Sequence, residues 1–165
     1  MKIFMTAKFK LFKLEDGVYK LLTKDLVEGL CVGGFTFTIG DKSVSFDWDA
    51  FCCNEEDGMF TYESGYGFLF NDHELSDCYE EDWAEMGLSR SDITPEFLVS
   101  ASAIEDFHIN FVRNYSAEVD FGDNCEYGSE YKIELLDVCF ADENDNAYIL
   151  SADVIKKFNK GCKGN

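Results

Sequence analysis

A chain of 165 residues is long enough for one domain with a real core, because a folded chain of this size buries roughly 70% of the surface that its unfolded form exposes. Thirty-three acids against fourteen bases give a formal net charge of -19, which excludes attraction to bare nucleic acid or to an anionic membrane and points to a basic partner. An aromatic share of 16%, with sixteen phenylalanines, excludes a disordered acidic tail.

Strand signals dominate from the start. Residues 2–11 alternate, with Ile3, Met5, Ala7, Phe9 and Leu11 on one side and Lys2, Thr6, Lys8 and Lys10 on the other, the period of a half-buried strand. "FTFTIGDKSVSFDW" predicts a hairpin: Phe35, Phe37 and Ile39 run into a turn at Gly40-Asp41-Lys42, and Val44, Phe46 and Trp48 run out. "GMFTYESGYGFLF" suggests another about Ser64-Gly65. In "NDHELSDCYEEDWAEMG", Asp77 followed by Glu80 resembles a capping box, and Tyr79, Trp83 and Met86 then fall on one helical stripe. Pro95, after Asp92 or Thr94 as a cap, begins a second short helix through Phe97 and Leu98. "DFHINFVRNYSAEVDF" and "YKIELLDVCFADENDNAYIL" predict hairpins turning near Asn114 and at Asp142 to Asn146, and a third helix runs from Ser151 to Phe158. The sum is an α+β fold, a single globular domain over residues 1–165 built mainly of antiparallel sheet with two or three short helices.

Charge is unevenly spread along this frame. Residues 1–42 hold seven lysines against five acids, and residues 90–165 hold fifteen acids against seven bases. Between them, residues 43–89 hold thirteen acids and no lysine or arginine. These are Asp47, Asp49, Glu55, Glu56, Asp57, Glu63, Asp72, Glu74, Asp77, Glu80, Glu81, Asp82 and Glu85, and they are the candidate partner-binding residues.

Chemical signatures are weak by comparison. Asp142, Asn144, Asn146 and Asp153 fall at positions 1, 3, 5 and 12 of an EF-hand loop, but Ala147 stands where the sharp turn wants glycine and both flanks read as strands. A polar hairpin turn is the better expectation, with no metal and no cofactor. His73 with Cys78, and His108 with Cys125, have no motif around them, and "GLCVGGF" lacks the spacing and the lysine of a phosphate loop. With so many acids some carboxylate pair is always close, so a glycosidase-type pair is not discriminating. The chain is read as a non-enzyme.

The acidic block fits a different use. Carboxylates at i and i+2 of a strand, as in Asp47 and Asp49, stand about 6.6 Å apart, and helical i,i+4 pairs such as Asp77/Glu81 and Glu81/Glu85 stand about 5–6 Å apart, near the spacing of nucleic-acid phosphates. Each like-charge helical pair costs roughly 0.2–0.5 kcal/mol, so the accumulation gives up stability that a mixed surface would keep. The expectation is an acidic mimic that occupies the basic groove of a nucleic-acid-binding protein, drawing on the electrostatics that such grooves use for phosphates. In composition and size the chain resembles the small acidic inhibitors that viruses and mobile elements carry against restriction or CRISPR nucleases, without a shared motif. The alternative is an acidic module, of immunity or chaperone-like type, that binds a basic protein without mimicry. A merely salt-adapted surface fits less well with twelve lysines to two arginines and seven cysteines.

Apolar stretches fall far short of the ~20 residues that span a bilayer, and "MKIFMTAKFKLFKLEDG" lacks a signal-peptide core, so a host-cytosolic location is expected. The seven cysteines, at 31, 52, 53, 78, 125, 139 and 162, are odd in number and show no C-x-x-C spacing, which predicts reduced thiols. Denatured protein prepared without reductant should titrate close to seven free thiols. A protected even number would overturn both the redox state and the compartment.

Overall fold

The computed structural model describes residues 4–22, 30–40, 42–47, 54–64, 68–70, 73–75, 94–111, 118–120, 131–142 and 144–161. In chain order the strands are β1 (Phe4–Glu15), β2 (Val18–Leu21), β3 (Leu30–Ile39), β4 (Lys42–Asp47), β5 (Asn54–Glu56), β6 (Met59–Ser64), β7 (Phe68–Phe70) and β8 (His73–Leu75). Helix α1 (Pro95–Val99) follows, then β9 (Ala103–Phe111), β10 (Glu118–Asp120), β11 (Tyr131–Ala141), β12 (Ala147–Ile149) and helix α2 (Ala152–Gly161). Every pairing among them is antiparallel. Among the described residues the fold is mostly antiparallel sheet with two helices, compatible with the α+β class read from the sequence.

Two sheets result. The first runs β12-β11-β1-β6-β5, with β2 also paired to β1; the second runs β10-β9-β3-β4-β7-β8. Strand β1 alternates as its sequence demands, with Met5, Ala7, Phe9 and Leu11 fully buried and Lys8 exposed. Phe9 of the first sheet meets Phe107 of the second edge-on at 5.2 Å, and Phe140 meets Phe37 in the same manner at 5.4 Å. Leu98 of α1 and Ile155 and Phe158 of α2 join the same buried cluster.

Alternation alone does not explain which residues are buried in β11 and β9. Ile133 and Leu135 are buried at odd positions, whereas Val138 and Phe140 are buried at even ones. The ladder to β1 shifts between them: Lys8 faces Asp137 but Phe9 faces Leu135, so the extra residue of a β-bulge returns the apolar side chains to the core. In β9, Ile104 and Phe107 straddle a similar shift, with Thr36 facing Asp106 and Phe37 facing Ile104. The bulge in β11 is also where α2 attaches. Asn159 accepts from the Leu135 N–H and donates to the Leu135 carbonyl, both at 2.8 Å, as a neighbouring strand residue would.

The hairpins β3/β4, β9/β10 and β11/β12 form where the sequence predicts them. So does α1: Pro95 opens the helix and the Thr94 hydroxyl accepts from the Phe97 N–H at 3.1 Å. The third helix forms as α2 and extends to Gly161. A hairpin about Ser64-Gly65 does not form. β6 pairs with β1 and β5 in the first sheet, whereas β7 pairs with β4 and β8 in the second, so the chain changes sheets there. The helix expected from Asp77 lies outside the described residues.

Two hairpins turn instead at Asp-Gly. Asp16 and Gly17 (φ 52 and 79°) join β1 to β2, and Asp57 and Gly58 (φ 54 and 80°) join β5 to β6, the left-handed pair of a type I′ turn. β2 and β6 share one side of β1, and there Gly58 abuts β2: a Cβ on it would stand 2.6 Å from a Leu21 methyl carbon. Gly17 has nothing within 4 Å. Gly17→Ala should therefore lose only the left-handed penalty, about 1–2 kcal/mol, while Gly58→Ala loses up to about 1 kcal/mol more, because the atom it meets ends an exposed leucine side chain that can turn aside. Chemical denaturation checks this, and Leu21→Ala should recover the difference in the Gly58→Ala background. Equal losses at the two glycines would show that the contact with Leu21 carries no energy.

Candidate functional site

Of the thirteen candidate acids, Glu56 and Asp57 are exposed at the β5/β6 turn. Glu55 precedes them in β5, facing Phe60 of β6 in register. The structure thus brings Glu55, Glu56 and Asp57 together at the edge of the first sheet. Glu63 lies on β6 opposite Thr6 of β1. In the second sheet, Thr36, Ser45, Leu69 and Glu74 form one register row across β3, β4, β7 and β8, and Asp47 stands two residues beyond Ser45 on β4. Glu74 therefore occupies that sheet's edge strand. Asp49, Asp72, Asp77, Glu80, Glu81, Asp82 and Glu85 lie outside the described residues.

Conformation explains one of these acids without a partner. Asp57 sits at a left-handed φ of 54°, where Asp and Asn are favoured among residues bearing a Cβ, and Asp16 and Asp145 occupy the same region. Edge placement of Glu55, Glu56 and Glu74 also serves the fold, because charge on an edge strand discourages pairing with another chain.

The described bases lie mostly elsewhere. Lys8, Lys10 and Lys13 lie on β1, Lys20 on β2, Lys132 on β11, and Lys156, Lys157 and Lys160 on α2, whereas Lys42 opens β4, the strand that also carries Asp47. Several rest on rings or acids of the same sheet. The Lys132 ammonium stands 5.6 Å from the centroids of both Phe12 and Tyr19, Lys13 stands 5.8 Å over Tyr131, and Lys20 pairs with Glu15 at 3.5 Å. Most of the described positive charge thus lies on β1, its neighbours β2 and β11, and α2.

The EF-hand-like segment folds as a turn between β11 and β12. One oxygen of Asp142 accepts from the backbone N–H of Asn144 and of Asn146, at 2.9 and 3.0 Å, and the other from the Asn146 side-chain amide at 3.1 Å. Asp145 takes φ 61° and donates its N–H to the Asp142 carbonyl. This is an Asx-type turn whose first carboxylate is committed to its own loop. The Asn146 amide, aided by the two backbone N–H groups and opposed by slight desolvation, holds the Asp142 carboxyl below its usual 3.8. Beyond the turn, the Tyr148 hydroxyl donates to Glu96 of α1 at 2.9 Å, and that bond and the Glu96 charge raise its pKa.

Neither histidine-cysteine pair is assembled in what is described. His73 lies in β8 and His108 in β9, opposite Gly34 and Asp120, while Cys78 and Cys125 lie outside the described residues. Among the described residues no group of three or more His, Cys, Asp or Glu is placed to hold a metal ion. No described helix is long and apolar enough to cross a membrane. The Cys139 thiol is free and half-buried. No family model, no curated protein and no solved structure matches this chain.

Asp142 gives this loop a pH signature. Its folded pKa is depressed, so its bonds stabilise the turn fully above the unfolded value near 3.8 and are lost as pH falls through the lower folded value. In an NMR titration the Asn144 and Asn146 amide shifts should move with a midpoint below 3.8, and Asp142→Ala should abolish the movement. Millimolar calcium should leave the thermal midpoint unchanged. A rise that chelator reverses, or a midpoint at or above the usual value, contradicts a self-satisfied turn.

Proposed function

We propose that the chain is an acidic nucleic-acid mimic, folded as a single domain, that occupies the basic groove of a DNA- or RNA-binding protein. The observation that carries this is the one-sign block at residues 43–89, thirteen acids with no lysine or arginine inside a chain of net charge -19. A surface made only for solubility would intersperse both signs, because interleaved lysines relieve like-charge repulsion. The exposure of Glu56 and Asp57, and the placement of every described base but Lys42 on β1, β2, β11 and α2, support a segregated display. The block faces the partner and the lysines hold the framework.

The class of partner is a cytosolic defence nuclease of restriction or CRISPR type, and the carrier is a phage or mobile element; this rests on composition and size. The chain acts by occupancy, not by catalysis, and binds no nucleic acid itself. An immunity-type module for a basic protein differs in one observable: its binding leaves the partner's nucleic-acid site open.

The test uses Asp77, Glu81, Asp82 and Glu85; the helical pattern directs Asp77, Glu81 and Glu85 away from the Tyr79, Trp83 and Met86 stripe and puts Asp82 at its flank. Replacing the four with Asn and Gln should leave the thermal midpoint equal or slightly higher, since each like-charge pair costs roughly 0.2–0.5 kcal/mol. Affinity for the protein captured from the host should fall, by up to about 1 kcal/mol per exposed charge contact, and its salt dependence should flatten. The parent should also compete with DNA or RNA for that protein. A variant that binds as tightly with the same salt slope makes this patch a solvating face.

A further inference from the structure

Among the described residues, strand β12 pairs on one side only, with β11. The bonds from Leu150 N–H to the Val138 carbonyl (2.8 Å) and from Asp142 N–H to the Asn146 carbonyl (3.1 Å) frame Phe140 and Tyr148 as the mutually bonded pair of the ladder. By alternation, the N–H and C=O groups of Ala147 and Ile149 point away from β11. Among the described residues nothing bonds to them. Ala147 is exposed, and the Ile149 side chain is 69% exposed.

The other open strands are defended. Among the described residues β2 carries Lys20, β5 carries Glu55 and Glu56, β8 carries Glu74, and β10 carries Glu118 and Asp120. Where β11 runs past the end of β12, Asn159 bonds its backbone. Charges and caps of this kind are how sheets avoid pairing with other chains. β12 has neither.

Charge selects what can pair there. Asp142 and Asp145 precede the strand, Asp153 follows it, and Glu96 is held at the Tyr148 hydroxyl, with no lysine or arginine between Asp142 and Ile155. A second copy would set these acids against themselves, on top of a charge of -19 on each chain. We infer that β12 is a docking edge for an extended, lysine- or arginine-bearing segment of a partner protein, added as a further strand beside Ala147 and Ile149. Main-chain bonds supply attachment, the apolar contact with Ile149 sets register, and the flanking acids set the sign of the ligand. The edge is a different stretch of chain from residues 43–89 and the inference stands without the proposed function.

The probes are two short peptides, one alternating Lys with Val and one alternating Glu with Val. The Lys-Val peptide should shift the amides of Ala147 and Ile149 and slow their exchange, while the Glu-Val peptide should not. Ile149→Pro removes an outward N–H that β11 does not use, and Ile149→Lys keeps the backbone while repelling the peptide. Each should weaken binding about tenfold. Neutralising Asp77, Glu81, Asp82 and Glu85 should leave it unchanged, which separates this site from the acidic block. Absence of binding, equal binding of both peptides, shifts confined to residues 43–89, or a dimer of the free protein dissolved by Ile149→Lys would each overturn the inference.

Discussion

The edge-on contacts of Phe9 with Phe107 and of Phe140 with Phe37 are the joint on which the two sheets depend. Phe60 extends it, stacked on Phe9 at 5.6 Å. Each of these rings is essentially fully buried, and burying a side chain of this size stabilises by about 1.5–3 kcal/mol. An individual like-charge pair at the surface costs only a few tenths of a kcal/mol. That ratio lets a chain with nineteen excess negative charges fold, provided the core is aromatic and closed. The high phenylalanine content and the acidic surface are thus two sides of one constraint.

Keeping the core closed requires local corrections to simple alternation. Without the bulge opposite Lys8 and Phe9, either the Ile133/Leu135 pair or the Val138/Phe140 pair would face solvent. Beside the bulge, β11 runs past the end of β12, and Asn159 from α2 bonds the Leu135 backbone there. The same economy governs the turns, where Asp is used at left-handed positions that also add surface charge.

Much of the strand content was legible because period-2 alternation survives over several residues, as in β1, and because Gly40 and the Asp142 to Asn146 cluster mark turns strongly. Thr94-Pro95 was legible as a helix start because cap and proline act locally. The chain's passage from β6 to β7 was not, since "SGYG" signals a turn without saying which sheet receives the next strand. The Asp16-Gly17 and Asp57-Gly58 hairpins carried a readable signal, but the flanking "LED" and "NEED" look like charged surface. For the candidate site, sequence locates the acids but not their place in the sheets; the pairing sets the consecutive Glu55, Glu56 and Asp57 at the edge of one sheet and Glu74 at the edge of the other. The open edge of β12 was invisible, because which strand ends a sheet is a property of topology.

The functional account holds that the acidic excess is a real burden on the fold, kept because a partner neutralises it. Its most direct measure is the stability of the free protein as sodium chloride is raised from about 0.01 M to about 1 M, which shortens the screening length from ~30 Å to ~3 Å. The account predicts that the free energy of unfolding rises steadily with salt while the denaturant slope stays constant. A stability that is flat or falls over that range would mean the charges are already balanced within the folded chain, and would contradict it.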